Sequence, residues 1–191
     1  MDYLILVDKF NPVPKDFTKK IEFSEVGGKL FEKQTADQLR LLMGSAENDG
    51  VPLKIISGYR TEEYQQMLWE RSVSSLMWSG NSYEKAVEKT AKTLALPNSS
   101  EHNTGLAADF GCEGDDDVQD DFFRTGQSKW LCKNAARYGF ILRYPRLKEH
   151  ITGISYEPWH YRYVGTETAE IISKSGVCLE EFLHFYSEKY I

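Results

Sequence analysis

The chain has 191 residues, enough for one domain with a full core and too few for two large ones. Apolar residues make up 41% and charged residues 27%, ordinary globular values that exclude wholesale disorder. With 23 basic against 29 acidic side chains the formal charge is −6, without the Lys and Arg surplus that neutralising a phosphate backbone requires, so no nucleic-acid partner is expected.

The amino-terminal apolar run at 3–7 is bounded by Asp2 and Asp8, too short and too acidic for a signal peptide or a membrane span. No membrane span is expected elsewhere, and the chain reads as cytoplasmic unless a leader has been removed from it. Thr35 is predicted to cap a helix carrying Leu39, Leu42, Met43 and Ala46 on one face and ending near Gly50. Residues 53–57 form a short apolar strand. Thr61 caps a second helix, with Glu62 and Glu63 in its first turn and Met67, Leu68 and Leu76 as its apolar surface. A third helix is predicted over 83–94, stopped by Pro97, followed by a strand at 104–110. Asp115-Asp116-Asp117 reads as a solvated loop, since a calcium site needs further oxygen ligands that the spacing does not supply.

Residues 129–138 read as a helix with Gly139 at its C′ position. Strands are predicted at 140–144, 151–156 and 161–164, with a hairpin-like turn after Pro145, and a last amphipathic helix at 179–190 carries Phe182, Leu183 and Tyr186. Helices first and strands later, with no Gly-rich phosphate loop, indicate an α+β domain over 1–191 built on a central antiparallel sheet flanked by helices. Cys112, Cys132 and Cys178 fit neither a disulfide scaffold nor a thiolate zinc site, and read as three buried or half-buried thiols in a reducing compartment.

Three segments carry more polar groups than a core requires: Ser57-Gly58-Tyr59-Arg60, the stretch from Ser100 to Asp109, and Glu157-Pro158-Trp159-His160. A catalytic zinc wants three protein ligands and an open position, and His102, Asp109 and His160 can supply that set. A regular strand would hold His102 and Asp109 on opposite faces and over ~20 Å apart, so they can share a metal only if His102 sits on a turn folded back onto the strand. Asn103-Thr104-Gly105 is suitable turn chemistry. Pro158 kinks the entry to the last strand and lets Glu157 and His160 aim at one point. Spacing alone leaves a second reading open, in which the two histidines are structural and Glu157 lies on the surface.

The SGYR element, the SEHNTGLAADF element and the run GFILRYP…KEHITGISYEPWHYRYVG together resemble the vancomycin-resistance type zinc D,D-peptidases of the VanY, VanX and bifunctional VanXY kind, within the wider group of lysostaphin-like enzymes and hedgehog domains. The matching core spans about 53–165, more than half of the chain. The resemblance implies a D-Ala-D-Ala carboxypeptidase or dipeptidase with one zinc per chain, held by His102, Asp109 and His160. It implies Glu157 as general base and Arg60 as the group facing the developing oxyanion. Gln65 and Ser100 would hold the terminal carboxylate and amide. Tyr144 and Trp159 would form pocket walls, although Trp159 reads equally as core packing.

Glu101 is expected to be a solvated carboxylate, with contact to substrate as the alternative. His150 and His184 fall outside every motif and read as surface residues. The implied substrate is a D-Ala-terminated peptide or peptidoglycan precursor, whose trimming removes the target of glycopeptide antibiotics. Residues 79–97 would help shape the pocket. Two other functions stay open: an L,D-carboxypeptidase that trims tetrapeptides, and a binding domain that keeps zinc without turnover. Glu157 and Arg60 argue against the last, because a structural zinc needs neither a base nor an oxyanion partner.

Overall fold

The computed structural model describes residues 1–187, with only the backbone at Tyr186 and Ser187. Strands β1 (Phe23–Val26) and β2 (Lys29–Glu32) pair across Gly27-Gly28, both at positive φ (58° and 76°), the backbone of a two-residue hairpin turn. Helix α1 (Lys33–Asn48) follows at once, and Leu39, Leu42 and Ala46 are fully buried on its predicted face. Its cap is Glu32 rather than Thr35. The Glu32 carboxylate accepts the Thr35 N–H at 2.9 Å and the Thr35 hydroxyl at 3.0 Å, which leaves Thr35 buried inside the first turn.

After β3 (Lys54–Ser57), Thr61 caps α2 (Glu62–Trp78) as predicted, accepting the Tyr64 N–H at 3.2 Å. The buried face of α2 is Gln65, Trp69 and Val73, with Leu76 partly covered, packed on Ala86 of α3 (Tyr83–Thr90); Met67 points to solvent. Helix α3 stops at Thr90, short of the predicted 94, and the chain runs on in turns.

The central sheet has the order β3, β4 (Ala107–Gly111), β6 (His160–Tyr163), β5 (Phe140–Leu142), with every neighbouring pair antiparallel. Between β4 and β5 lie α4 (Gly126–Asn134) and a short turn of 3-10 helix ended by left-handed Gly139, the predicted C′ glycine. The predicted strand at 151–156 is instead the end of α5 (Glu149–Thr152) and a turn around Gly153 (φ 73°). The left-handed turn at Gly153 breaks the extended run, and both sides of β6 are taken by β4 and β5. Helices α6 (Thr166–Ser175) and α7 (Leu179–Ser187) close the fold. Sequence reasoning assigned no element to α6, and its predicted end of α7 at Tyr190 lies outside the described residues, as does the side chain of Tyr186.

The period of two along β4 and β6 divides the sheet into two faces. Ala108, Phe110, Tyr161 and Tyr163 enter the main core with Phe31, Leu39, Leu42, Leu131 and Phe140. Asp109, His160 and Arg162 alternate with them and therefore project from the opposite face. Asp109 and His160 are direct cross-strand partners, and Ser57 pairs with Asp109 from β3. The functional face is thus the middle of an α+β sheet, with its back fixed by the core.

Candidate active site

His102 reaches this face from the short 3-10 turn Glu101–Thr104, folded back onto β4 by left-handed Gly105 (φ 72°). Backbone bonds pin the turn: Arg60 N–H donates to His102 O at 3.1 Å, and Glu32 N–H donates to Gly105 O at 3.0 Å. A Cβ on Gly105 would stand 2.9 Å from the Glu32 nitrogen, so the motif glycine permits both the backbone angle and the close approach. Gly58 is equally constrained, since a Cβ there would lie 2.7 Å from Leu30 O and from Phe31 Cζ.

The structure brings His102, Asp109 and His160 together. One ligand atom from each lies within 4.8 Å of the others, and all three residues are buried. His102 Nδ1–H donates to Gly58 O at 2.8 Å, because a carbonyl can only accept, and this leaves the Nε2 lone pair facing Asp109 Oδ2 at 3.1 Å. His160 presents Nδ1 to Asp109 Oδ1 at 2.8 Å. Two imidazole nitrogens and a carboxylate around one point, opening on a cavity, are the donor set of a catalytic zinc with a free position. The residues fit the metal. Glu157 enters from the kink at Pro158, with Oε2 4.0 Å from His160 Nδ1.

Arg60 is held on three sides: Nε donates to Ser57 Oγ at 2.9 Å, Nη2 to Asp109 Oδ2 at 2.9 Å and Nη1 to Gln65 Oε1 at 3.4 Å. Gln65 is fully buried and its amide NH₂ donates to Ala95 O at 2.8 Å, so both ends of its carboxamide are engaged by protein. Its place is behind Arg60 and not on the cavity wall. Ser100, Tyr144 and Trp159 do line the cavity, which measures about 230 Å³ and also touches Arg60, Glu157 and the metal-ligand trio. Tyr144 stacks on the His160 ring (centroids 5.0 Å apart, 28° between planes). Trp159 both lines the cavity and packs against the main core, so its two readings coexist. Thr93, Leu94 and Ala95 bring the end of the 79–97 region to the wall.

Burial sets the protonation of this site. It raises the Glu157 carboxyl to about 8, helped by the charges of Asp109 and Glu101 and opposed by His160 and Arg60. Burial and Arg60 lower His102 to about 4 against the pull of Asp109, so its imidazole is neutral. His160 moves the other way, to about 9: burial disfavours its charge, but hydrogen bonds to Asp109 and Glu101 prevail. Asp109 stays well below the usual carboxylate range, because the two histidines outweigh its burial.

Glu101 overturns its expectation. It is 2% exposed, with Oε1 accepting from Arg143 Nε and Arg162 Nη1, each at 2.7 Å, and Oε2 3.3 Å from His160 Nε2. Residues 101, 143 and 162 come from a turn, the bend just after β5 and strand β6, and no local pattern links them. The one usable signal is that Arg162 alternates with aromatic residues on β6 and so shares the face of His160. His150 and His184 are exposed, and the 115–117 acidic run lies in a largely solvated loop, as expected.

A family model described as VanY, D-alanyl-D-alanine carboxypeptidase, matches residues 28–166. This chain belongs to the VanY family. It is 39% identical over 181 residues to a D-alanyl-D-alanine carboxypeptidase of Enterococcus faecalis, covering 95% of this chain and 65% of that relative. It thus spans just under two thirds of that relative's length. A structure of the vancomycin-resistance D,D-pentapeptidase VanY of a VanB-type cassette, in complex with Zn(II), superposes with a TM-score of 0.86 at 38% identity, covering 96% of this chain and 99% of that one. The same enzyme in complex with D-alanine-D-alanine gives the same score and identity, with 96% and 98% covered. The L,D-carboxypeptidase LdcB gives a TM-score of 0.74 at 34% identity over 94% of this chain and 84% of that one.

Proposed function

We propose that this protein is a zinc-dependent peptidase that removes the terminal D-Ala from peptides ending in D-Ala-D-Ala. The observation that carries the reading is the buried His102, Asp109 and His160 trio opening on a cavity beside the Glu157 carboxyl. Zinc bound by the trio supplies Lewis-acid polarisation of the substrate carbonyl and lowers the pKa of water to ~7.

The chain's own groups perform the remaining work. Glu157 accepts a proton from the attacking water on a carboxylate oxygen and delivers it to the amine nitrogen of the departing D-Ala. Burial raises its carboxyl to about 8 in the metal-free site, and a zinc cation beside it would favour the ionised form that accepts the proton. Arg60 turns its guanidinium to the cavity, held by Ser57, Asp109 and Gln65, and faces the oxygen that gains negative charge. A fixed, partly desolvated cation is worth far more there than in water. Ser100 meets the substrate backbone, while Gln65 contributes by fixing Arg60. Tyr144 and Trp159 exclude water from the reacting atoms.

The likeness to LdcB supports a second reading, cleavage of a tetrapeptide that ends in a single D-Ala. Both are tested by offering the zinc-replete protein D-Ala-D-Ala, a pentapeptide ending in D-Ala-D-Ala, its D-lactate analogue and a tetrapeptide ending in D-Ala. Released D-Ala from the first two supports the D,D-peptidase. Release from the tetrapeptide alone favours the second reading, and no release from any peptide rejects both.

A further inference from the structure

Glu101 is a buried acid that the chemistry above does not use. Its Oε1 takes two guanidinium donors and its Oε2 faces His160 Nε2, on the side of the ring away from Asp109. Both arginines are immobilised from farther out. Arg143 makes a two-pronged pair with Glu180 of α7 at 2.7 and 2.9 Å. Arg162 donates to the carbonyls of Tyr3, Ile5 and Tyr163 at 3.1, 2.9 and 3.1 Å. The carboxylate is therefore fixed in place and in orientation. Two acids, Glu101 and Glu180, balance the two arginines, so the cluster needs no charge from His160.

Resting on the assignment of His160 as a zinc ligand, we propose that Glu101 is the positioning residue that locks His160 into its metal-binding tautomer. An ionised carboxylate only accepts hydrogen bonds, so Nε2 keeps its proton, and Nδ1, which faces Asp109 and the cavity, is the nitrogen left to give up its proton to a metal. A purely structural Glu101 would balance Arg143 and Arg162 without influencing the ring.

Glu101→Gln separates the two cases. The arginines demand an oxygen at the Oε1 position, which turns the new NH₂ group towards His160 Nε2. That group donates to Nε2 and drives the proton to Nδ1, where it blocks the metal. Zinc affinity is read by competition with a chromogenic chelator, with folding checked by circular dichroism. Glu101→Gln is expected to stay folded and bind zinc about 10–100-fold more weakly. Glu180→Gln, which loosens the outer end of the same cluster, lowers thermal stability and leaves zinc affinity unchanged.

His160→Ala tests the underlying assignment. Equal zinc binding by the parent and His160→Ala would overturn the zinc reading and this inference together. Tight binding by the parent, loss in His160→Ala and parental affinity in folded Glu101→Gln would overturn the role of Glu101 alone. Should Glu101→Gln fail to fold, nitrogen-15 NMR of the zinc-loaded parent decides directly. A proton on Nε2 with metal on Nδ1 is expected, and a proton on Nδ1 or metal on Nε2 overturns the proposal.

Discussion

Replacing Glu157 by Gln should make the metal-free protein more stable while disabling the enzyme. The carboxyl is 8% exposed and titrates at about 8 in the fold instead of its ordinary 4.5. Between those values the folded state holds a proton that the unfolded chain has released, so stability falls as pH rises through the window. At about 1.4 kcal/mol per pH unit, the buried carboxyl costs the fold roughly 4–5 kcal/mol by pH 8 and under ~1 kcal/mol at pH 5.

The neutral, isosteric Gln has no such cost. Thermal unfolding in EDTA should therefore place Glu157→Gln about 10 °C above the parent near pH 8, with the gap closing towards pH 5. With zinc restored, the same variant should keep its metal and lose turnover by about 10²–10⁴. A gap in melting temperature that does not change with pH would refute the burial argument. Near-normal turnover in the zinc-replete variant would refute the assignment of Glu157 as base.

Other changes test other parts of the site. His160→Ala should lose both bound zinc, by elemental analysis, and D-Ala release, and EDTA should abolish activity in the parent until zinc is returned. Gly58→Ala forces a Cβ to 2.7 Å from Leu30 O and Phe31 Cζ, and should destabilise by about 1–3 kcal/mol in a denaturant titration. It should also weaken zinc binding, because the Gly58 carbonyl that sets the His102 tautomer must move. Among the thiols, exposed Cys132 should react with a disulfide reagent before Cys178, which is buried and raised to about 12 by that burial. Cys178 should label only as the protein unfolds.

The Glu101 cluster also bears on how the fold is assembled. Through Arg143 it ties the middle of the sheet to α7, and through Arg162 to the backbone of the amino-terminal arm. Removing one member of such a buried set leaves an uncompensated charge, far more damaging than loss of an exposed pair such as Lys174 with Glu170.

What the sequence determined by itself was local: the cap at Thr61, the C′ glycine at 139, the inward stripe of α1 and the turn chemistry at 103–105 that permits His102 to fold back onto β4. Each depends on neighbouring residues and on the chain's own periodicities, as does the ligand-type motif of two histidines and an aspartate. The tertiary structure decided what depends on distant partners. Residues 151–156 are apolar enough for a strand, but the chain finishes α5 and turns at left-handed Gly153, and both sides of β6 are taken by β4 and β5. Gln65 has the chemistry to hold substrate, but Arg60 and the Ala95 carbonyl occupy it. Glu101 has the composition of a surface acid and becomes the buried partner of two arginines and a histidine. A carboxylate can lie there only because cations 42 and 61 residues along the chain converge on it, and no window of sequence contains that fact.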